Sequence, residues 1–239
     1  DCGCRGSVRL MAVWTVEHFA TGGLAFGQSS RSVGVGGTPA AGELVVLVVN
    51  THSDNVAQVP SGFTTVYNGQ SPADAIYGAV FAKIAGASGE AASYTVSYSG
   101  AAGQDTCLGF ILACDVGVDA LEASVATTGQ TSWPDIPIPD ITTTVDEAIH
   151  IGVVMGNDSM TGASPAGWTI VGGDGQTRIR AAIKEQPTAG TSTGASSLGS
   201  IANAGWGIGF GYTPVTGGGG GPTIAPLAFH NLAHAWRTR

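Results

Sequence analysis

Apolar residues in this chain come in short runs, separated by clusters of glycine, proline and small polar residues. Leu44 to Val49 is unbroken apolar between Gly42 and Asn50, as expected of a strand central in a sheet. Ser93 to Ser99 alternates instead, with Tyr94, Val96 and Tyr98 against Ser93, Thr95 and Ser97, which predicts a half-buried strand. The alternation from Val13 to Phe19 predicts a first strand, and Ser29 to Gly36 a second. Ile76 to Ile84 and Thr106 to Cys114 complete one set. A second set comprises Glu147 to Met155, Trp168 to Val171, Thr177 to Lys184, Ser196 to Ile201 and Gly205 to Tyr212. Asp115 to Ile141 reads as the connection between the sets. Pro134, Pro137 and Pro139 each lack a backbone donor, so 133 to 139 is expected to be an extended edge segment. Only Val118 to Ala126 has even a faint helical period.

The two sets are copies of one pattern. Pro60-Ser61-Gly62-Phe63-Thr64-Thr65-Val66 is echoed by Pro165-Ala166-Gly167-Trp168-Thr169-Ile170-Val171. At the same offset Leu44, Val46 and Val48 fall on Ile149, Ile151 and Val153. Val80-Phe81-Ala82-Lys83 answers Ala181-Ala182-Ile183-Lys184, and Leu108-Gly109-Phe110-Ile111-Leu112 aligns with Trp206-Gly207-Ile208-Gly209-Phe210. A repeat this long, with shortening offsets, marks two copies of a supersecondary unit that differ in loop length. Pro and Gly preset a corner in each copy, and the aromatic that follows, Phe63 or Trp168, is expected to plug one end of the core.

The expected fold is therefore all-β: one antiparallel two-sheet sandwich of jelly-roll type over residues 13–216, built from halves at about 40–114 and 145–214. Residues 1–12 read as an N-terminal arm. Met11-Ala12-Val13-Trp14 resembles a natural start, so the first ten residues are either a non-native extension or a short ordered arm. Residues 217–222 are a glycine-rich flexible tether. Residues 223–239 form a candidate docking peptide carrying Leu227, Phe229, Leu232 and Trp236, expected to pack on a neighbouring subunit or another protein and not on its own sandwich, with folding back onto that sandwich as the alternative.

Charged residues make up 11% of the chain and the net charge is −8, which argues against a nucleic-acid partner, since phosphate neutralisation needs clustered Lys and Arg. No apolar run reaches the ~18 residues of a membrane span. The N-terminus lacks the basic-then-apolar plan of a signal peptide. Cys107 and Cys114 lie an odd number of positions apart in one strand, on opposite faces, and read as buried thiols rather than as a disulfide. Cys2 and Cys4 lack the further ligands of a zinc site.

The residues that could carry chemistry do not assemble. There is no Gly-x-Ser-x-Gly elbow and no calcium loop, and the aspartates scatter through predicted loops. Gly172-Gly173-Asp174-Gly175 has no following helix to make a phosphate site. His230 and His234 would share a helix face, but no acid accompanies them, so incidental histidines on a docking peptide are the better reading. His150 alternates with Ile149 and Ile151 and is expected to face solvent or a loop. Trp133 and Tyr67 are candidate glycan contacts, with rim or core packing as the bland alternative. No cofactor and no metal are expected.

Gly-Glu-Leu-Val-Val-Leu-Val-Val from Gly42, Val-Pro-Ser-Gly-Phe-Thr from Val59 and Phe-Ala-Lys-Ile-Ala-Gly from Phe81 together resemble a β-sandwich domain of tailed-bacteriophage structural proteins. That family repeats Gly-Asp-Leu-Leu-Val, Pro-x-Gly-Trp-Thr and Lys-x-Ala patterns, and the likeness covers about residues 40–214. Cys114-Asp115 departs from the Arg-Gly often found after the first unit. The resemblance implies a non-enzymatic virion component of tail, fibre or capsid-decoration type, a homo-oligomer among other virion proteins, with no catalytic residues to carry over. A carbohydrate- or receptor-binding module at the host-facing surface is the second class, and a hydrolase on a β scaffold a weaker third.

Overall fold

The computed structural model describes residues 11–51, 55–70, 76–87, 90–126, 133–157, 160, 164–172, 178–192, 199–201 and 205–215. Every regular element among them is a strand. The first half holds β1 (Trp14–Ala25), β2 (Gln28–Gly34), β3 (Leu44–Thr51), β4 (Thr64–Gln70), β5 (Tyr77–Ile84), β6 (Ser93–Ala102) and β7 (Asp105–Cys114). The second holds β8 (Val118–Ala126), β9 (Trp133–Ile136), β10 (Ile141–Thr143), β11 (Ala148–Gly156), β12 (Thr169–Gly172), β13 (Ile179–Gln186), β14 (Gly190–Ser192), β15 (Gly199–Ile201) and β16 (Gly205–Pro214). All ladders are antiparallel and they nest. β1 pairs with β7, β2 with β6 and β3 with β5 around β4. Likewise β8 pairs with β16, β9 with β15, β10 with β14 and β11 with β13 around β12. Nested pairing is a long hairpin rolled onto itself, the connectivity of a jelly roll.

The strand order β1-β7-β3-β5-β4 in one five-stranded sheet is repeated as β8-β16-β11-β13-β12 in the other. The sheets face each other with β1 over β12 and β4 over β8, so the halves are related by an approximate two-fold axis. Leu44, Val46, Val48, Leu108, Phe110 and Leu112 meet Ile149, Ile151, Val153, Ile208, Phe210 and Tyr212 in the shared core. Full burial of such a side chain contributes about 1.5–3 kcal/mol, so each sheet is the other's lid and neither half keeps its core alone.

The outer faces are covered as well, which is why β3 and β11 are buried at every residue. The β2–β6 pair supplies Val33 and Val96, with Val35 just past β2, over Val45, Leu47, Phe81 and Ile111. Ile136, Ile138 and Ile141 cover Val154, Trp168 and Ala182 on the other side. There β16 presents Gly207, Gly209 and Gly211 outward. A Cβ on Gly209 would lie 2.7 Å from Ile141 Cγ1, and one on Gly207 would overlap the Pro137 carbonyl, so the chain from 137 to 143 lies directly on the sheet.

The two corners share one backbone geometry. Gly62 and Gly167 have φ of 81° and 78°, and the Phe63 and Trp168 amides donate to the Pro60 and Pro165 carbonyls at 3.1 and 3.0 Å. Both aromatics are buried. Lys83 lies 5.0 Å from the Phe63 ring centroid and 4.5 Å from that of Tyr94, ion-paired to Glu90. The one non-glycine residue with positive φ among the described residues is Glu147 (65°), which stands where the first copy has Gly42 (85°).

Two expectations and one faint signal change. Residues 115 to 141 are more than a connection, because they hold β8, β9 and the start of β10. Val118 to Ala126 has no helix; register shifts in its ladder with β16 turn a spacing of three into a shared face, so that Val118 and Leu121 both reach the inter-sheet core. Third, Val48 pairs with Leu108 and Val153 with Ile208, so Leu108 to Leu112 corresponds to Ile208 to Tyr212, two residues beyond the alignment read from the sequence. A two-residue slip keeps every side chain on its face, and apolar patterning cannot detect it.

Candidate functional site

Asn50 ends the apolar run of β3 and faces the opposite sheet. Its Nδ2 donates to the Gly156 carbonyl at 2.7 Å, and the Gly156 amide donates to the Arg178 carbonyl at 3.0 Å. Arg178 Nη1 in turn donates to Gln104 Oε1 at 2.5 Å. These groups join the two halves at one end of the sheets. With Leu24, Ile76, Asp105 and Asn157 they line a cleft of about 160 Å³. That space is open to solvent and encloses no room even for a water molecule, so it is a polar latch between sheets with no place for a substrate.

On the outer face of the first sheet, Asp105 is 1% exposed and Arg31 Nη1 lies 3.2 Å from its Oδ1. Arg31 Nη2 donates to the Gly23 carbonyl at 2.5 Å and Nε to Cys107 Sγ at 3.5 Å. Burial raises the Asp105 pKa while the Arg31 charge opposes it. Burial also pushes the Cys107 thiol up. Cys114, half-buried against the inter-sheet core, is pushed to about 11 by burial and by the charges of Asp115, Glu147 and Glu185. Neither thiol has the lowered pKa that a nucleophile needs. They occupy opposite faces of β7, as their spacing requires, and both are free.

His150 corrects a further expectation. It does point away from Ile149 and Ile151, but the outer face it occupies is roofed by β10 and β14, and it is fully buried. Its Nδ1 lies 2.6 Å from Ser192 Oγ and its Nε2 3.0 Å from Thr143 Oγ1. One ring nitrogen donates and the other accepts. Burial lowers its pKa to about 4, with Lys184 adding to the shift and Glu122 opposing it. A serine beside a histidine suggests a nucleophile and its base, but here the second nitrogen meets a threonine hydroxyl and no carboxylate orients the ring. No substrate can reach a pair sealed under β10 and β14.

Tyr67 on edge strand β4 is half-buried and packs against the inter-sheet core. Trp133 opens β9, with its side chain outside the described residues, and Leu227, Phe229, His230, Leu232, His234 and Trp236 lie outside them altogether. His18 is exposed on β1. Among the described residues no three His, Cys, Asp or Glu side chains could hold a metal ion, and no helix is long and apolar enough to cross a membrane.

No family model, curated protein or solved structure matches this chain. The polar sets above are what reading the sequence missed. Asn50 at the end of β3 and His150 inside β11 were visible as polar interruptions of apolar runs, whereas nothing in the sequence linked Arg31 to Asp105.

Proposed function

We propose that this chain is a non-enzymatic structural component of a tailed-phage virion, of tail, fibre or capsid-decorating type. It would act as a homo-oligomer among other virion proteins, with residues 217–222 as tether and 223–239 as attachment peptide. The observation that carries the reading is that the three polar sets around Asn50, Arg31 and His150 are all engaged in packing. Asn50 and Arg178 join the halves, Arg31 and Asp105 secure β2 over its sheet, and His150 ties β10 and β14 to β11. Such a molecule is built to hold shape. The resemblance over residues 40–214 supplies the kind of particle. The test is mass spectrometry and immuno-electron microscopy of purified particles from the source phage. The protein is expected at a regular position and fixed copy number, and its absence from washed particles would refute the proposal.

A second reading, receptor or glycan binding at the host-facing surface, is favoured by Tyr67, whose ring stays partly exposed on an edge strand. Glycan-array binding lost in Tyr67→Ala or Trp133→Ala, with the fold intact, would support it.

A further inference from the structure

Four exposed apolar side chains gather where β1 begins and β16 ends: Met11 (65% exposed), Val13 (52%), Val116 (43%) and Val215 (37%). The backbone holds this end together. The Asp115 amide donates to the Val13 carbonyl at 3.2 Å, the Val13 amide to Asp115 Oδ1 at 2.9 Å, and the Val215 amide to the Gly117 carbonyl at 3.0 Å. Single exposed apolar residues need no explanation, but a contiguous set marks a surface that something covers. Asp115, Glu147 and Glu185 border the patch, close enough together that all three charges act on Cys114. Glu185 Oε1 also accepts from the Trp14 amide at 3.4 Å. This end is therefore apolar at its centre and acidic at its rim.

Val215 is also the residue from which the glycine tether leaves. Beyond the tether, residues 223–239 carry Leu227, Phe229, Leu232 and Trp236, with Arg237 and Arg239 and no acidic side chain. Apolar content and charge sign both complement the patch. The segment from 216 to 222 reaches at most about 25 Å, and a link that short gives an effective concentration on the order of millimolar. We propose that in the free protein residues 223–239 dock on the chain's own patch of Met11, Val13, Val116 and Val215, with the two arginines at the acidic rim. Because the tether is rooted in the patch itself, the chain's own peptide outcompetes that of a second copy. The inference stands on the patch and the peptide, whatever particle the chain joins; assembly would transfer the peptide to a neighbour.

Hydrogen exchange on the full chain reads this docking. Amides of residues 223–239 are expected to exchange at least ~10-fold more slowly than in the isolated peptide, independently of protein concentration. Val116→Glu in the exposed turn should abolish that protection, and about 0.5 M salt should weaken it several-fold. Leu227→Glu, which leaves the sheets untouched, should do the same if Val116→Glu fails to fold. Exchange at the free-peptide rate overturns the proposal. So does protection that survives both variants, or protection of residues 1–10 in place of the C-terminal peptide. Protection that grows with concentration, alongside a rising mass by light scattering, would assign the patch to a second copy and equally overturn it. Absence from particles would refute the virion reading and leave this result untouched.

Discussion

Acidification should destabilise the fold through His150, in a window that sets it apart from the carboxylates. The folded pKa is about 4 and the ordinary value 6.5. Between these pH values the unfolded chain binds a proton that the folded chain refuses, so stability rises with pH across the window. The contribution is complete above about pH 6.5, declines as pH falls, and levels off below about pH 4. At 1.36 kcal/mol per pKa unit the whole effect is about 3 kcal/mol, a large share of the 5–15 kcal/mol typical of a domain. Lys184 lies on the neighbouring strand at the position paired with His150, and Glu122 on β8 opposes it. Urea unfolding at a series of pH values between 3.5 and 7.5 measures the slope, and the His150 ring proton shift measures the pKa directly. His150→Val together with Thr143→Val and Ser192→Ala tests the assignment, because Val stands at the equivalent position 45 and no hydroxyl is left buried without a partner. This variant should lose the slope between pH 4 and 6.5. An unchanged slope, or a His150 resonance that titrates near 6.5, would refute the reasoning.

Other expectations follow from the duplicated geometry. Phe63→Ala and Trp168→Ala should each cost roughly 3–5 kcal/mol in chemical unfolding, and losses below about 1 kcal/mol at both would mark them as surface residues. Glu147→Gly should raise the melting temperature, by up to about 1 kcal/mol in stability, because it removes the left-handed strain that Gly42 avoids at the equivalent place; a lower melting temperature would show that the Glu147 side chain earns more than that strain costs. Gly207→Ala should destabilise by at least about 1–3 kcal/mol, since its Cβ meets the Pro137 carbonyl, while Gly23→Ala, with open space around it, should be nearly neutral. Similar effects at both glycines would remove the account of the outer layer.

The sequence made the inner architecture legible because the inner faces obey one simple rule. Apolar residues at every second position of β3 and β11 must meet, and the echo of Leu44, Val46 and Val48 in Ile149, Ile151 and Val153 follows from that. The Pro-x-Gly corners were equally readable, since their φ values leave few other residue choices. The outer layers were not. Short strands such as β10 and β14, of three residues each, carry too little pattern to be seen. The Gly207, Gly209 and Gly211 stripe reads as weak strand until the segment that presses on it is known. Arg31 and Asp105 are distant in sequence, and no local signal pairs them.

The approximate two-fold also separates what the halves share from what they do not. In the inter-sheet core each sheet's partner is a copy of itself, so a change on one inner face must suit the other, and the apolar rows stay alike. Each outer face instead meets a cover of its own, and there the copies diverge: Val45 against His150, Cys107 against Gly207, Ile111 against Gly211. Within each end the copies differ as well: at one, Asn50 stands where the second half has Met155, and at the other Val215 stands where the first half has Asp115. Partner recognition requires surfaces that differ from their symmetry mates and lie open. The buried outer layers meet only the first condition, whereas the patch around Val13, Val116 and Val215 meets both once residues 223–239 leave it. Substitutions there that release residues 223–239 should alter assembly and cost about 1.4 kcal/mol in stability, the equivalent of the ~10-fold protection they remove, whereas large-to-small substitutions in the inner rows should cost roughly 2–5 kcal/mol.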